Sequence, residues 1–376
     1  MQRILFASIL ATMAMAALPQ PALANPGSPL CLPGAYSGVD CMDAGPAAYI
    51  SRMERLGIVF PYQAFQAGKA DSQLAQLPYA YAEITADQGR IFASLEAAIA
   101  GKPVARYIQP GFAYVSYVDV QEIDGKKYYM IAPGEWMKAG DLAANAVYSQ
   151  FMGFTFAATP SRPFGWILQA IETRRTPGTG APFSGVSFNR FDQIEVFETQ
   201  EADGLSWYLV GPDMWIESSE AALVFPRTEA PNGVDNGRWI EIDLDQQTVS
   251  AYDNGQMVYA TLTSTGVPGF WTRPGLFQIF EKTETTPMSG AFEADASDYY
   301  YLEDVPWTMY FDEARALHGA YWHTKFGYEQ SHGCVNLSAG DSRWLFDWAQ
   351  MGDWVYVWDA SGETPEDPSL YGSGGA

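Results

Sequence analysis

The chain has 376 residues, 48% of them hydrophobic, with 21 basic against 44 acidic side chains and a formal charge of −23. That length exceeds one ordinary core and points to two or three domains, and the hydrophobic fraction excludes general disorder. With no surplus of Lys and Arg to neutralise phosphates, the charge argues against nucleic acid and anionic lipid as partners, and a solvated acidic surface is its plain meaning.

The N-terminus reads as a secretory signal in residues 1–24. Arg3 supplies the basic start, Ile4 to Leu18 form an apolar run, and Ala22-Leu23-Ala24 supplies an A-x-A cleavage site. The run is short for a bilayer span and is closed by Pro19 and Pro21. The expectation is cleavage after Ala24, a periplasmic or cell-wall location, and no stable membrane insertion afterwards. Loss of Arg3 leaves 20 basic and 44 acidic side chains, a charge of −24.

Residues 25–77 form an N-terminal segment in which Cys31 and Cys41 lie ten positions apart. A disulfide between them closes a small loop and stabilises it by about 2–3 kcal/mol in the chain-entropy model, with two free thiols as the alternative. Either way Cys334 has no local partner, and an odd cysteine in an exported chain is a candidate reactive thiol. Helical spacing appears at 46–57 and 86–100, where Ile91, Leu95, Ala98 and Ile99 share a face and Gly101-Lys102-Pro103 ends the run.

An internal repeat follows. Gln121-Glu122-Ile123-Asp124-Gly125 precedes Tyr129, Pro133 and Trp136, and 79 residues later Gln200-Glu201-Ala202-Asp203-Gly204 precedes Tyr208, Pro212 and Trp215. Each copy reads as an alternating strand, a D-G turn, an aromatic-rich strand and a core Trp. Two β modules are expected, at 78–145 and 163–228. They resemble bacterial SH3-like modules in size, turns and aromatic content. Trp136 and Trp215 read first as core residues and second as a platform for glycan contact.

After a turn-rich linker at 229–237, Trp239 to Leu244, Thr248 to Tyr252 and Met257 to Leu262 alternate as strands around Asp253-Asn254-Gly255. Leu276 to Phe280 and Thr308 to Phe311 flank an aromatic and acidic insertion at 281–306, read as a lid or a solvated loop. Residues 338–351 are helical with Ser338 as N-cap, Val355 to Trp358 close the sheet, and the tail 359–376 is expected to be disordered.

All three histidines, His318, His323 and His332, fall within fifteen residues, and Cys334 follows the last. A thiol of pKa ~8.5 is mostly protonated near neutrality, so an attacking cysteine needs a base, and an imidazole is the usual one. In Ser331-His332-Gly333-Cys334-Val335-Asn336, Gly333 permits a turn that gathers backbone N–H groups around an oxyanion. His318 and His323 compete as base. A His₃Cys zinc site is a second chemistry for the same residues, but the spacing fits no familiar pairing, and neither metal nor cofactor is expected. A papain-like order is excluded because the histidine precedes the cysteine.

His318-Gly319-Ala320 followed by the run Ser331 to Asn336, with Ser264-Thr265-Gly266 and Pro274-Gly275 upstream, resembles the signature of the L,D-transpeptidase catalytic domain of the YkuD type. The resemblance covers about 238–358. It implies a β-sandwich, so the fold class is mainly β: a catalytic sandwich preceded by two small β modules and a short helical segment. It further implies Cys334 as nucleophile, His318 as base, the backbone of Gly319 as what orients the imidazole, and His332, Gly333 and the Cys334 N–H around the acyl site. Ser331, Asn336, Tyr310, Trp322 and His323 are implied as substrate contacts. The implied partners are peptidoglycan stem peptides: D-Ala is released from a tetrapeptide and the acyl group passes to an amine. Hydrolysis of the same bond, or wall binding by an inactive relic, are the alternatives.

Overall fold

The computed structural model describes residues 45–144, 146–291, 295 and 298–371. The signal segment and both Cys31 and Cys41 lie outside the described residues. The chain divides into units 1–52 and 53–376, and the described part of the first is the opening of the helix Pro46–Arg55. Everything below concerns the second. No helix among the described residues is long and apolar enough to cross a membrane.

Two sheets face each other. One runs Gly68–Lys69, Phe154–Thr155, Gln256–Leu262, Thr248–Asp253, Arg238–Asp243, Trp354–Trp358, Gly275–Gln278, with only Arg238–Asp243 and Trp354–Trp358 parallel. The other runs Val335–Leu337, Arg315–Gly319, Tyr300–Asp312, Phe112–Tyr117, Ala80–Ile84, Leu142–Ala144, with Glu281–Gly290 also on Tyr300–Asp312. Ile240, Ile242, Val249, Ala251, Tyr259, Val355 and Val357 of the first sheet meet Met309, Phe311, Leu317, Val335 and Leu337 of the second in one core. Strand alternation makes this possible, since every second side chain turns to the facing sheet. The mainly β sandwich is therefore present.

The helix Ala339–Trp348 is started by Ser338, whose Oγ accepts the Asp341 N–H. The Asp341 carboxylate is fully buried and accepts from Gly153 N–H (2.7 Å), Tyr259 Oη (2.6 Å), Thr261 Oγ1 (2.6 Å) and Ser338 Oγ (2.7 Å). Four donors from three segments converge on one acceptor shortly after the strand Val335–Leu337. Asp341→Ala leaves them unpaired in the core and is expected to cost about 3–5 kcal/mol, read as a lower denaturant midpoint at unchanged m.

The two repeat segments share a strand plan. Ala80–Ile84 pairs antiparallel with Phe112–Tyr117 and with Leu142–Ala144, as Phe164–Ile167 pairs with Gln193–Glu195 and Ala221–Val224. Each D-G turn holds positive φ, at Asp124 and Gly125 and again at Asp203 and Gly204. Trp136 and Trp215 are 9% and 1% exposed, so both serve as core rather than as open platforms. The second segment packs Phe164, Trp166, Ala222 and Val224 against Trp239, Tyr252, Met257 and Ala260 of the first sheet.

Three local expectations change. Residues 86–100 are not one helix: Gly89–Ile91 is a strand, and the helix is Leu95–Ala100, capped by Ser94 and by Gly101 at φ +75°. Phe92 exchanges backbone hydrogen bonds with Trp136, so pairing overrides the helical spacing. The insertion at 281–306 belongs to a long antiparallel hairpin, Glu281–Gly290 with Tyr300–Asp312. The tail is fastened as far as Tyr371, because the Asp359 carboxylate accepts the Ser361 and Thr364 N–H groups and the Arg315 guanidinium lies 5.4 Å over the Tyr371 ring.

Candidate active site

Arg315–Gly319 and Val335–Leu337 are parallel neighbours, with Leu317 opposite Val335 and His318 opposite Asn336. Leu317, Val335 and Leu337 fill the core, so His318, Cys334 and Asn336 turn to the opposite face. Tyr310 does likewise between the core residues Met309 and Phe311. On that face a cavity of about 360 Å³ is lined by His318, Trp322, His323, Gln330, Ser331, His332, Cys334 and Asn336, and from elsewhere by Phe112, Met288, Asp298, Tyr300 and Leu302. A larger groove of about 810 Å³ along Gln76–Tyr81 and Tyr117–Val120 holds no histidine or cysteine.

The approach to Cys334 is braced on all sides. Thr265 C=O accepts the Gln330 and Ser331 N–H groups, and Ser264 and Asn336 exchange backbone hydrogen bonds at 2.9 Å. The Ser331 hydroxyl accepts the Gly333 N–H (3.1 Å) and donates to Cys334 C=O (2.6 Å). Thr272 Oγ1 donates to Gly333 C=O at 2.8 Å. Gly333 sits at φ +122°, a conformation that excludes ordinary side chains. The Ser331 hydroxyl thus braces the turn, while the residue also lines the cavity.

Cys334 is a free thiol, 4% exposed, whose Sγ lies 3.7 Å from Ala314 C=O. Burial pushes its pKa up to about 11, partly offset by the Ala316 N–H and the nearby Arg315. Burial pulls His318 down to about 4, with the Gly319 carbonyl opposing and His323 adding to the shift. The pair therefore rests as neutral thiol and neutral imidazole. His318 Nδ1 faces Gly319 C=O at 3.4 Å, which places the ring proton on Nδ1 and leaves Nε2 as the acceptor. An imidazole that stays neutral to about pH 4 keeps its acceptor lone pair throughout the neutral range. Reaction at Cys334 is accordingly expected to be lost only as pH falls through about 4, not through 6.5, in a pH series of acylation rates.

His323 is engaged at both nitrogens. Its Nδ1 accepts the Lys325 N–H at 3.2 Å, so a neutral ring carries its proton on Nε2, 3.0 Å from the Asn336 amide. The atom of Asn336 at that distance is Nδ2, and its Oδ1 is buried without a hydrogen-bond partner. His323 thus anchors Asn336 and is spent as a base. His332 lies between Phe270 (4.7 Å, edge-on) and Tyr300 (6.2 Å, parallel); burial lowers its pKa while Asp298 opposes. Trp322 tilts against His318 at 5.7 Å. Tyr310 is outside the cavity lining but close enough that Cys334 raises its pKa, after burial.

Phe112, Met288, Asp298, Tyr300, Leu302 and Gln330 were not singled out from the sequence. Alternation in the hairpin carried a faint signal for Tyr300 and Leu302; nothing local pointed to Phe112.

Residues 237–357 match the family model described as YkuD, L,D-transpeptidase catalytic domain. L,D-transpeptidase 1 of Mycobacterium tuberculosis (strain ATCC 25618 / H37Rv) is 29% identical over 124 residues, 30% of this chain and 47% of that protein. The chain thus spans about half the length of the curated relatives it matches. Among solved structures, an L,D-transpeptidase from Stackebrandtia nassauensis is 26% identical over 38% of this chain and 63% of its own, at a TM-score of 0.29. The catalytic domain of the E. faecium enzyme is 26% identical over 34% of this chain and all of its own, at 0.30.

Proposed function

We propose, for a chain whose residues 237–357 form an L,D-transpeptidase catalytic domain of the YkuD type, that it is an exported cysteine acyltransferase acting on peptidoglycan stem peptides. The observation that carries this reading is a buried thiol at the entry to Val335–Leu337 and a buried imidazole on the neighbouring parallel strand Arg315–Gly319, both lining one cavity inside the matched segment. In the proposed cycle His318 Nε2 takes the Cys334 proton as Sγ attacks the carbonyl of the third stem residue, a diamino acid. The tetrahedral intermediate expels the amine of D-Ala, which leaves with that proton, and a thioester remains. A side-chain amine of a second stem attacks the thioester, gives its proton to His318, and forms the new amide as the thiolate leaves and is reprotonated.

Gly333 and the Cys334 N–H are the oxyanion side of this scheme. Ser331 holds the turn, and Trp322 and Asn336 form the wall beside the acyl chain. Export with cleavage after Ala24, a periplasmic or cell-wall location and glycan contact through the upstream β modules complete the reading. The test is incubation of mature protein with a stem tetrapeptide, following free D-Ala and intact mass. The expected result is stoichiometric D-Ala, a thioester-sized mass increase and its discharge by an added amine. Products carrying water in place of the amine would convert the reading to an L,D-carboxypeptidase; no D-Ala would remove it.

A further inference from the structure

A second opening, of about 650 Å³, lies between the second repeat segment and the stretch leading to Cys334. Gln169 and Arg190 come from the repeat, and Lys325, Tyr328 and Gln330 from that stretch. Gln330 also lines the cavity over Cys334, so the two openings share a wall. The junction is tightly built. Arg190 Nη2 donates to Thr324 C=O (3.1 Å) and to Phe326 C=O (3.2 Å). Its guanidinium lies 4.3 Å over the Phe191 ring, which packs against Phe151 at 4.5 Å. A Cβ on Gly327, at φ +92°, would stand 2.3 Å from Leu168 Cδ2. The repeat therefore fixes the loop that carries His323 and Lys325.

The charge of this lining runs against the rest of the molecule. The chain carries 44 acidic and 21 basic side chains, yet the described lining of this opening has two cations and no carboxylate. Only Nη2 of the Arg190 fork is spent in hydrogen bonds among the described residues, and Nε is buried without a partner. Lys325 is exposed and engaged through its backbone, the N–H with His323 and the C=O with Ser264 Oγ. On the other side of Tyr328 a groove of about 490 Å³ is lined by Asp245, Glu329, Asp359 and Glu363. An anion is therefore repelled from one side of Tyr328 and drawn to the other. Two cations beside the amides of Gln169 and Gln330 are complementary to a carboxylate on a peptide. Resting on the transpeptidase reading, we infer that this opening is a subsite for a carboxylate of a stem peptide, with Lys325 and Arg190 as its cations. The carboxylate has two sources, the terminal D-Ala of the donor stem and the accepting stem. The second repeat segment is thereby a component of the substrate site.

The full mature chain carrying Cys334→Ala binds without turnover and so separates recognition from catalysis. Calorimetric titration with a stem tetrapeptide, as free acid and with its carboxylates amidated, gives two Kd values. Amidation is expected to weaken binding by about tenfold. Adding Lys325→Gln is expected to weaken the free acid by about fivefold and to leave the amidated peptide unchanged. Arg190→Lys keeps the charge and loses the fork, and is expected to weaken the free acid alone by about threefold. A free-acid to amide ratio unmoved by Lys325→Gln overturns the subsite. Equal weakening of both peptides also overturns it, since the cations would then only be supporting the loop, and so does a free acid that does not bind. In wild type, amidating one peptide at a time identifies the source. A raised KM for D-Ala release marks the donor carboxylate, and slower amine-dependent discharge of the thioester marks the accepting stem. Free-acid binding that depends on Lys325, in a chain whose wild type releases no D-Ala, counts against the underlying reading instead.

Discussion

Cys334→Ala is expected to lower D-Ala release and amine transfer by about 10⁴-fold or more, to the level of uncatalysed background. Among the described lining residues the substitution removes the one thiol able to form the proposed thioester, and what remains is a binding pocket. It is also expected to fold normally, because Val335 and Leu337, not Cys334, carry that strand's share of the core. A carbapenem tests the same atom by independent chemistry: its strained amide acylates a thiol directly, so wild type gains one drug mass and Cys334→Ala gains none. Labelling that persists in the alanine variant would place the reactive group elsewhere.

The second large effect is expected at His318. With the thiol held near 11 by burial, Cys334 has almost no thiolate at neutral pH, so attack depends on a base that accepts the proton as the bond forms. His318→Gln is expected to reduce acylation by about 10²–10⁴-fold. The variant should also change the shape of the pH profile. Wild type loses activity as His318 gains a proton near pH 4, whereas the variant, having no base, should accelerate steadily as pH rises toward the thiol's own pKa. His323→Gln should lack that alkaline slope, because its ring only anchors Asn336. An alkaline slope in His323→Gln and not in His318→Gln would exchange the two roles.

The reading of the sequence went furthest where chemistry is written locally. The run Ser331 to Asn336 leads into the strand that neighbours His318-Gly319, and alternation turns Cys334, His318 and Asn336 away from the core residues Val335 and Leu317. Ser264-Thr265-Gly266 was legible only through the family resemblance, and in the structure it pairs with the cysteine run. The strand periods of the catalytic sheet were equally visible. What could not be read was pairing between distant segments. Phe112 and Tyr300 are joined by a parallel register, which leaves no turn or spacing in the sequence to mark it. The stretch 86–100 shows the converse, where good helical spacing yields to backbone exchange between Phe92 and Trp136. Ser331 illustrates a third limit: nothing in the run shows that its hydroxyl makes two hydrogen bonds to the turn itself.

The central claim is that Cys334 transfers an acyl group from one stem peptide to an amine on another. Isolated sacculi rich in tetrapeptides, incubated with mature protein, digested with a muramidase and resolved by mass spectrometry, test it most directly. The expected products are dimers joined between the third residues of two stems, accompanied by free D-Ala, and neither product with Cys334→Ala. Tetrapeptides trimmed to tripeptides with no such dimers, or sacculi left unchanged by the wild-type protein, would contradict it.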